Sequence, residues 1–162
     1  MTNTNRTYSP KGIIKTLTIL HYAYCVATLI FGIIAIFITE NGTMNFSDTE
    51  DIFFYLVPGF AIVLAFMSNL VFQQNLKRVQ QKSTLKEKLV HYQSSRIIRY
   101  AMLEAPAFFA IVIFIITSNQ LYLIIAIIML TYLFLLRPTK LIIREDLDLN
   151  SKQELEFREA LN

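Results

Sequence analysis

Glu104 is the residue from which a chemical reading of this chain starts. It lies with Pro106 inside an apolar run from Tyr100 to Ile116, while three other apolar runs, Thr16–Ile38, Ile52–Phe72 and Leu121–Leu136, hold no carboxylate and no Lys or Arg. An ionisable group among residues of this kind is costly and points to a binding, relay or packing role. Other polar side chains gather at the same depth. Counting about 1.5 Å per helical residue puts Glu104 roughly 7–8 Å past Arg99. The same count from Lys15, Gln73 and Arg137, the polar flanks of the other runs, reaches His21 and Tyr22, Ser68 and Asn69, and Thr131 and Tyr132. With Tyr100, these residues form an inferred polar layer on one side of an otherwise aliphatic body.

Two chemistries fit such a layer. Hydroxyls, amides and the carboxyl can bond one another across helices and fix packing, at a modest average of about 0.6 kcal/mol per bond. In that reading Arg96, Tyr100 and Glu104, spaced by four, share a helix face, and Glu104 bonds Tyr100 or reaches toward Arg96. Alternatively, Glu104 lies within hydrogen-bond reach of His21 and exchanges a proton with it, as a small proton-coupled transporter or channel requires. Other chemistries fail on counting. His91 sits in a basic segment, so no second histidine is available at depth for a haem. His21 and Glu104 supply two metal ligands where three or four are needed. Cys25 is alone, and the four glycines form no phosphate-cradling loop. No cofactor, no metal and no catalytic set is expected, and the expectation is a non-enzymatic protein. A quinone or lipid held between helices stays open.

The elements that position these groups follow from the apolar runs. The chain has 162 residues, 54% of them hydrophobic, with a net charge of +3. Its apolar residues come in uncharged blocks, and about 20 helical residues cross a hydrocarbon core of about 30 Å. The fold expected is all-α: an antiparallel four-helix transmembrane bundle with spans near 13–38, 52–73, 97–117 and 119–136, the fourth somewhat short. These belong to a membrane domain over 1–137, followed by an amphipathic tail over 138–162. Pro58-Gly59 should kink the second span or admit a close neighbour.

Charge placement orients the spans. Arg6, Lys11 and Lys15 precede the first, and Lys77, Arg78, Lys82, Lys86, Lys88, Arg96 and Arg99 join the second to the third. The first connection carries Glu40, Asp48, Glu50 and Asp51 with no Lys or Arg. The positive-inside rule puts both termini in the cytoplasm. Anionic lipid headgroups suit the basic segment 77–99, and a nucleic-acid partner is not required. A homo-oligomer or a larger membrane complex is the protein partner expected.

Outside the spans, Thr84-Leu-Lys-Glu87 and Ser151-Lys-Gln-Glu154 read as capping boxes that open further helices. The first of these helices lies on the membrane surface or docks beneath the bundle. The tail forms an amphipathic pair, with Leu141, Ile142 and Ile143 able to cling to the bilayer. Asn41-Gly42 is a turn, and Met1–Ser9 is read as disordered.

The pattern from Tyr92 through Arg96, Arg99 and Glu104 to Phe109, followed by Arg137-Pro-Thr-Lys140 and Asp146-Leu-Asp-Leu149, resembles small uncharacterised four-span proteins of Bacteroidota. The resemblance implies a bacterial inner-membrane location and brings no activity with it.

Overall fold

The computed structural model describes residues 10–39, 42–45 and 51–161. The described chain is helical: α1 (Pro10–Ile38), α2 (Phe53–Gln80), α3 (Leu85–Thr117), α4 (Gln120–Leu135), α5 (Lys140–Leu147) and α6 (Ser151–Glu159). Arg6, Glu40, Asn41, Asp48 and Glu50, and with them the Asn41-Gly42 turn, lie outside the described residues. So does the Met1–Ser9 segment.

A belt of outward-facing apolar residues shows where hydrocarbon replaces water. Large hydrophobics are exposed from Ile19 to Ile38 on α1, from Ile52 to Leu70 at and along α2, from Ile98 to Ile116 on α3, and from Ile124 to Leu135 on α4. Beyond this belt the exposed large hydrophobics among the described residues are Met44, Leu141 and Leu155. Water would not tolerate so much aliphatic surface, whereas lipid favours it. α1, α2 and α3 are each long and apolar enough to cross a membrane. α4 has 16 residues, about 24 Å at 1.5 Å per residue, and turns into α5 through a 76° bend. It still traverses the bundle. The Tyr122 hydroxyl at its start donates to Asp51 at 2.7 Å, and the backbone carbonyl of Leu136 at its end accepts from Tyr100 at 3.4 Å.

α3 is the axis of the molecule, packed against α1, α2 and α4. α4 also touches α1 and α2, so the three outer helices wrap one side of α3. The remaining side, with Ile98, Ala101, Ala105, Val112 and Ile116, faces outward. α1 and α3 run in the same direction, as successive contacts His21–Tyr100, Phe31–Phe108 and Gly32–Ile111 show. Gly59 has open space around it, so the Pro58-Gly59 pair does not serve to admit a neighbour.

Both ends of the bundle are tied. At one end the α1–α2 connection is stitched to the α3–α4 turn. Thr43 donates its amide to the Ser118 carbonyl and accepts from the Gln120 amide, both at 2.9 Å. The Asn119 side chain donates to the Asn45 carbonyl at 2.9 Å, accepts from the Asn45 amide at 3.3 Å, and caps α4 through the Leu121 amide. Ser118 takes the left-handed conformation (φ 57°) that ends α3, a common helix-terminating geometry.

At the opposite end, here termed the base, a second core lies outside the apolar belt. Ile13 and Leu17 of α1, Phe72, Leu76 and Val79 of α2, Leu85, Leu89 and Tyr92 of α3, Ile143 and Leu147 of α5, and Phe157 of α6 are buried together. The expected division at residue 137 therefore does not follow the packing, because the tail shares this core with the first turns of α1 and the ends of α2 and α3. Ile143 is buried here, so this residue of the expected lipid-clinging trio turns into the core, while Leu141 stays exposed. Of the two expectations for the helix after Thr84, docking beneath the bundle is the one seen, with Leu85, Leu89 and Tyr92 buried in this core. Thr84 caps α3 by accepting from the Glu87 amide at 3.3 Å, and from there one 33-residue helix runs into the belt. The second capping box is shifted by one residue from the expected Ser151–Glu154 pair: Asn150 and Gln153 form it reciprocally. Asparagine is a better cap than a serine already inside the first turn, and Gln153 gains a further bond to the Ser83 carbonyl at 3.0 Å.

Candidate functional site

The base of the bundle is built around two arginines one turn apart on α3. Arg96 and Arg99 are 3% and 8% exposed, burial that guanidinium groups rarely accept without partners. Arg96 has a complete set. Its Nε donates to the Tyr92 hydroxyl at 2.7 Å, and its Nη2 donates to Asp146 of α5 at 2.9 Å. The Tyr92 hydroxyl donates to the same Asp146 oxygen at 2.6 Å. The guanidinium also lies 4.8 Å from the Phe72 ring centroid and 5.2 Å from that of Tyr92, within cation–π range. Burial, set against the Arg96 charge, pushes the Tyr92 phenol well above the ordinary tyrosine range. Two further bonds hold α5. Buried Lys88 donates to the Leu147 and Asp148 carbonyls at 3.0 and 2.9 Å, satisfying the α5 C-terminus with a cation. Gln80 donates to the Asp146 carbonyl at 2.9 Å.

Arg99 is different. Its Nη2 donates to Asn69 of α2 at 3.2 Å and its guanidinium lies 4.6 Å from the Phe72 centroid. Its Nε has no hydrogen-bond partner, and no carboxylate among the described residues pairs with it. Phe72 is thus flanked by two guanidiniums, one neutralised by Asp146 and one not.

The expected layer is partly assembled. Asn69 and Arg99 are bonded to each other. His21, Tyr22 and Tyr100 form a ring cluster, with His21 centroids 5.5 Å from Tyr22 and 5.1 Å from Tyr100. The His21 Nε2 lies 4.0 Å from the Cys25 sulfur, and its Nδ1 makes no hydrogen bond. Ser68 and Thr131 bond back to their own helices, through the Ala65 and Ile127 carbonyls. Tyr132 is half-buried against the small core of Ala61, Tyr100, Leu103 and Met129.

Glu104 stands apart. Half-buried, it makes no hydrogen bond or ion pair with any described residue, to Tyr100, Arg96 or His21 included. The reason is register. α1 and α3 run in parallel, His21 meets Tyr100, and Glu104 one turn further on comes level with Cys25, one turn past His21. One helical turn, about 5.4 Å, separates the two residues expected to touch.

The partners that sequence reasoning missed are Asp146, Lys88, Gln80 and Gln153. Asp146 is 50 residues from Arg96, and nothing local marks it apart from the other acids of the tail. Tyr92 and Arg96 were legible as an i,i+4 pair on a helix face, and the structure adds that both face inward.

Comparison with protein-family models, with curated proteins and with solved structures finds no match. The apolar belt and the helices that carry it decide the coarse class. This is an integral membrane protein.

Proposed function

We propose that the chain is a non-enzymatic protein of a bacterial inner membrane, an accessory or assembly subunit or a small homo-oligomer. Its termini lie in the cytoplasm, and anionic lipid headgroups meet the basic segment 77–99. The observation that carries this reading is the base. Parts of five helices fold there into one water-side platform, with α5 locked to α3 through Arg96, Tyr92 and Asp146. Polar groups of the layer are spent mostly on one another and on backbone carbonyls, as a packing role requires, and those that border a groove, Tyr22, Thr131 and Tyr132, sit at its edge among apolar side chains. Lys11, Lys15, Lys77, Arg78, Lys82, Lys86 and Lys88 all belong to the platform side, while Asp51 stands at the other end, which supports the orientation. The resemblance to small Bacteroidota membrane proteins supports the same home.

The proton-coupled reading retains one observation in its favour, the unpaired Glu104 at membrane depth. Glu104→Gln separates the two readings. Measured by light scattering in a mild detergent and by proton uptake in proteoliposomes, the variant should keep its oligomeric mass and show no loss of function-linked proton movement. Proton uptake present in the parent and abolished by Glu104→Gln would replace the subunit reading with transport. A reporter fused after Asn162 should behave as cytoplasmic, and an external signal would overturn the orientation.

A further inference from the structure

Arg99, which pairs with no carboxylate among the described residues, lies one turn beyond the end of a groove. α2 and α4 are in light contact, and between them Pro58, Ala61, Ile62 and Ala65 face Ile125, Ile128, Met129 and Tyr132 across a cleft of about 340 Å³ that exposes no polar surface. From Pro58 to Ala65 the cleft runs two helical turns, about 11 Å of membrane depth. Leu103 of α3 packs with Ala61, Ala65, Ile125 and Tyr132 beneath it. The next turn toward the base carries Asn69 on α2, four residues past Ala65, and Arg99 on α3, four residues before Leu103. Those two residues are bonded to each other. The basal end of the apolar slot therefore lies one helical turn from a guanidinium that no carboxylate among the described residues pairs with.

We propose that this slot is a specific site for an anionic phospholipid, with one acyl chain in the α2–α4 groove and the headgroup phosphate on Arg99 and Asn69. The proposal deepens the headgroup attraction read above and rests on it, but it assigns that attraction to one buried cation in place of the exposed lysines. Charge complementarity selects the occupant. A guanidinium nine-tenths buried beside hydrocarbon is stabilised by a phosphate brought close to it, and Asn69, exposed and bonded to Arg99, can contribute its amide. A neutral-headgroup lipid, or an apolar helix, fills the groove and leaves the charge uncompensated. The neighbouring groove between α1 and α4 makes a useful contrast. It ends near Arg137, 5.9 Å from the Tyr22 ring, but Arg137 is exposed, so its charge is not stranded in a buried site.

The test uses the full chain in mild detergent, with native mass spectrometry counting dioleoylphosphatidylglycerol and dioleoylphosphatidylcholine retained per protein. The parent should hold one phosphatidylglycerol at concentrations where phosphatidylcholine is lost. Arg99→Gln should weaken that retention roughly tenfold or more, the scale of a lost charge-assisted contact. Ala65→Leu, which fills the groove without touching the guanidinium, should weaken it comparably and decides the matter if Arg99→Gln does not fold. Replacing Lys77, Lys82 and Lys86 together by Gln should thin the loosely bound phosphatidylglycerol and leave the tight one in place; no thinning would count against the general headgroup reading alone. Parent-like retention in Ala65→Leu or in folded Arg99→Gln, or equal retention of the two lipids, overturns the site.

Discussion

Replacing Asp146 by Ala should release the tail from the base without disturbing the spans. The carboxylate receives two bonds on one oxygen, from Tyr92 at 2.6 Å and from Arg96 at 2.9 Å. Its removal leaves the Arg96 guanidinium, 3% exposed, without its counter-charge. Breaking a buried pair by deleting one partner costs about 3–5 kcal/mol. The Asp146 side chain is 21% exposed, so water already shares part of its charge, and about 2–3 kcal/mol is the better expectation. That corresponds to roughly a 30- to 150-fold larger population of the opened tail. Amide hydrogen exchange of α5 and α6 in lipid nanodiscs measures this population directly, because those helices are held to the rest by the contacts in question. Protection of the Ile143 and Leu147 amides should fall by that factor, while amides in the belt portion of α3 stay unchanged. The double variant Arg96→Met with Asp146→Leu should recover most of the loss, since a buried ion pair replaced by apolar groups of similar size is often neutral. If Asp146→Ala leaves α5 protection within about threefold of the parent, a shift under about 1 kcal/mol, the view that this network anchors the tail is wrong.

Two further outcomes follow from the same geometry. The Tyr92 phenol is held protonated by burial first. A raised folded-state value means that its contribution is complete below the ordinary tyrosine value of 10.0 and declines as pH rises beyond it. Proteolytic release of the tail should therefore accelerate in alkaline buffer, and Tyr92→Phe should remove that pH-dependent step. At the other end of the bundle, Asn119→Ala deletes both bonds to Asn45 and the cap on α4, at a cost of about 1–2 kcal/mol for the cap alone. Thermal unfolding in detergent should shift down, and exchange should rise at Thr43 and Asn45 before it rises in the spans.

The sequence was most informative where the physics is one-dimensional. Uncharged blocks of apolar residues announced the helices, and Arg137-Pro138 marked where the last of the blocks ends. The Thr84 cap was readable because its partner is three residues away. Reading failed where distant residues meet. Arg96 looked like one of several topology-setting cations, and only the return of α5 beneath the bundle shows that it is buried against Asp146. Glu104 and His21 looked like a pair because their depths were counted from different flanks. An error of one turn in either count is enough to part them, and the parallel packing of α1 on α3 shows that turn. The tail's Ile143 was apolar enough for lipid or for a core, and no local signal distinguishes the two.

The continuity of α3 has a mechanical consequence. A single rod of 33 residues, about 50 Å from end to end, is rooted in the platform below and carries the hairpin turn above. No hinge loop decouples the two, so the platform cannot swivel without dragging the outer turn with it. About two-thirds of the way along the rod stands Pro106, which removes one backbone bond from the ladder. If torque applied to the tail is to be absorbed inside the membrane, that missing bond is where the rod will give.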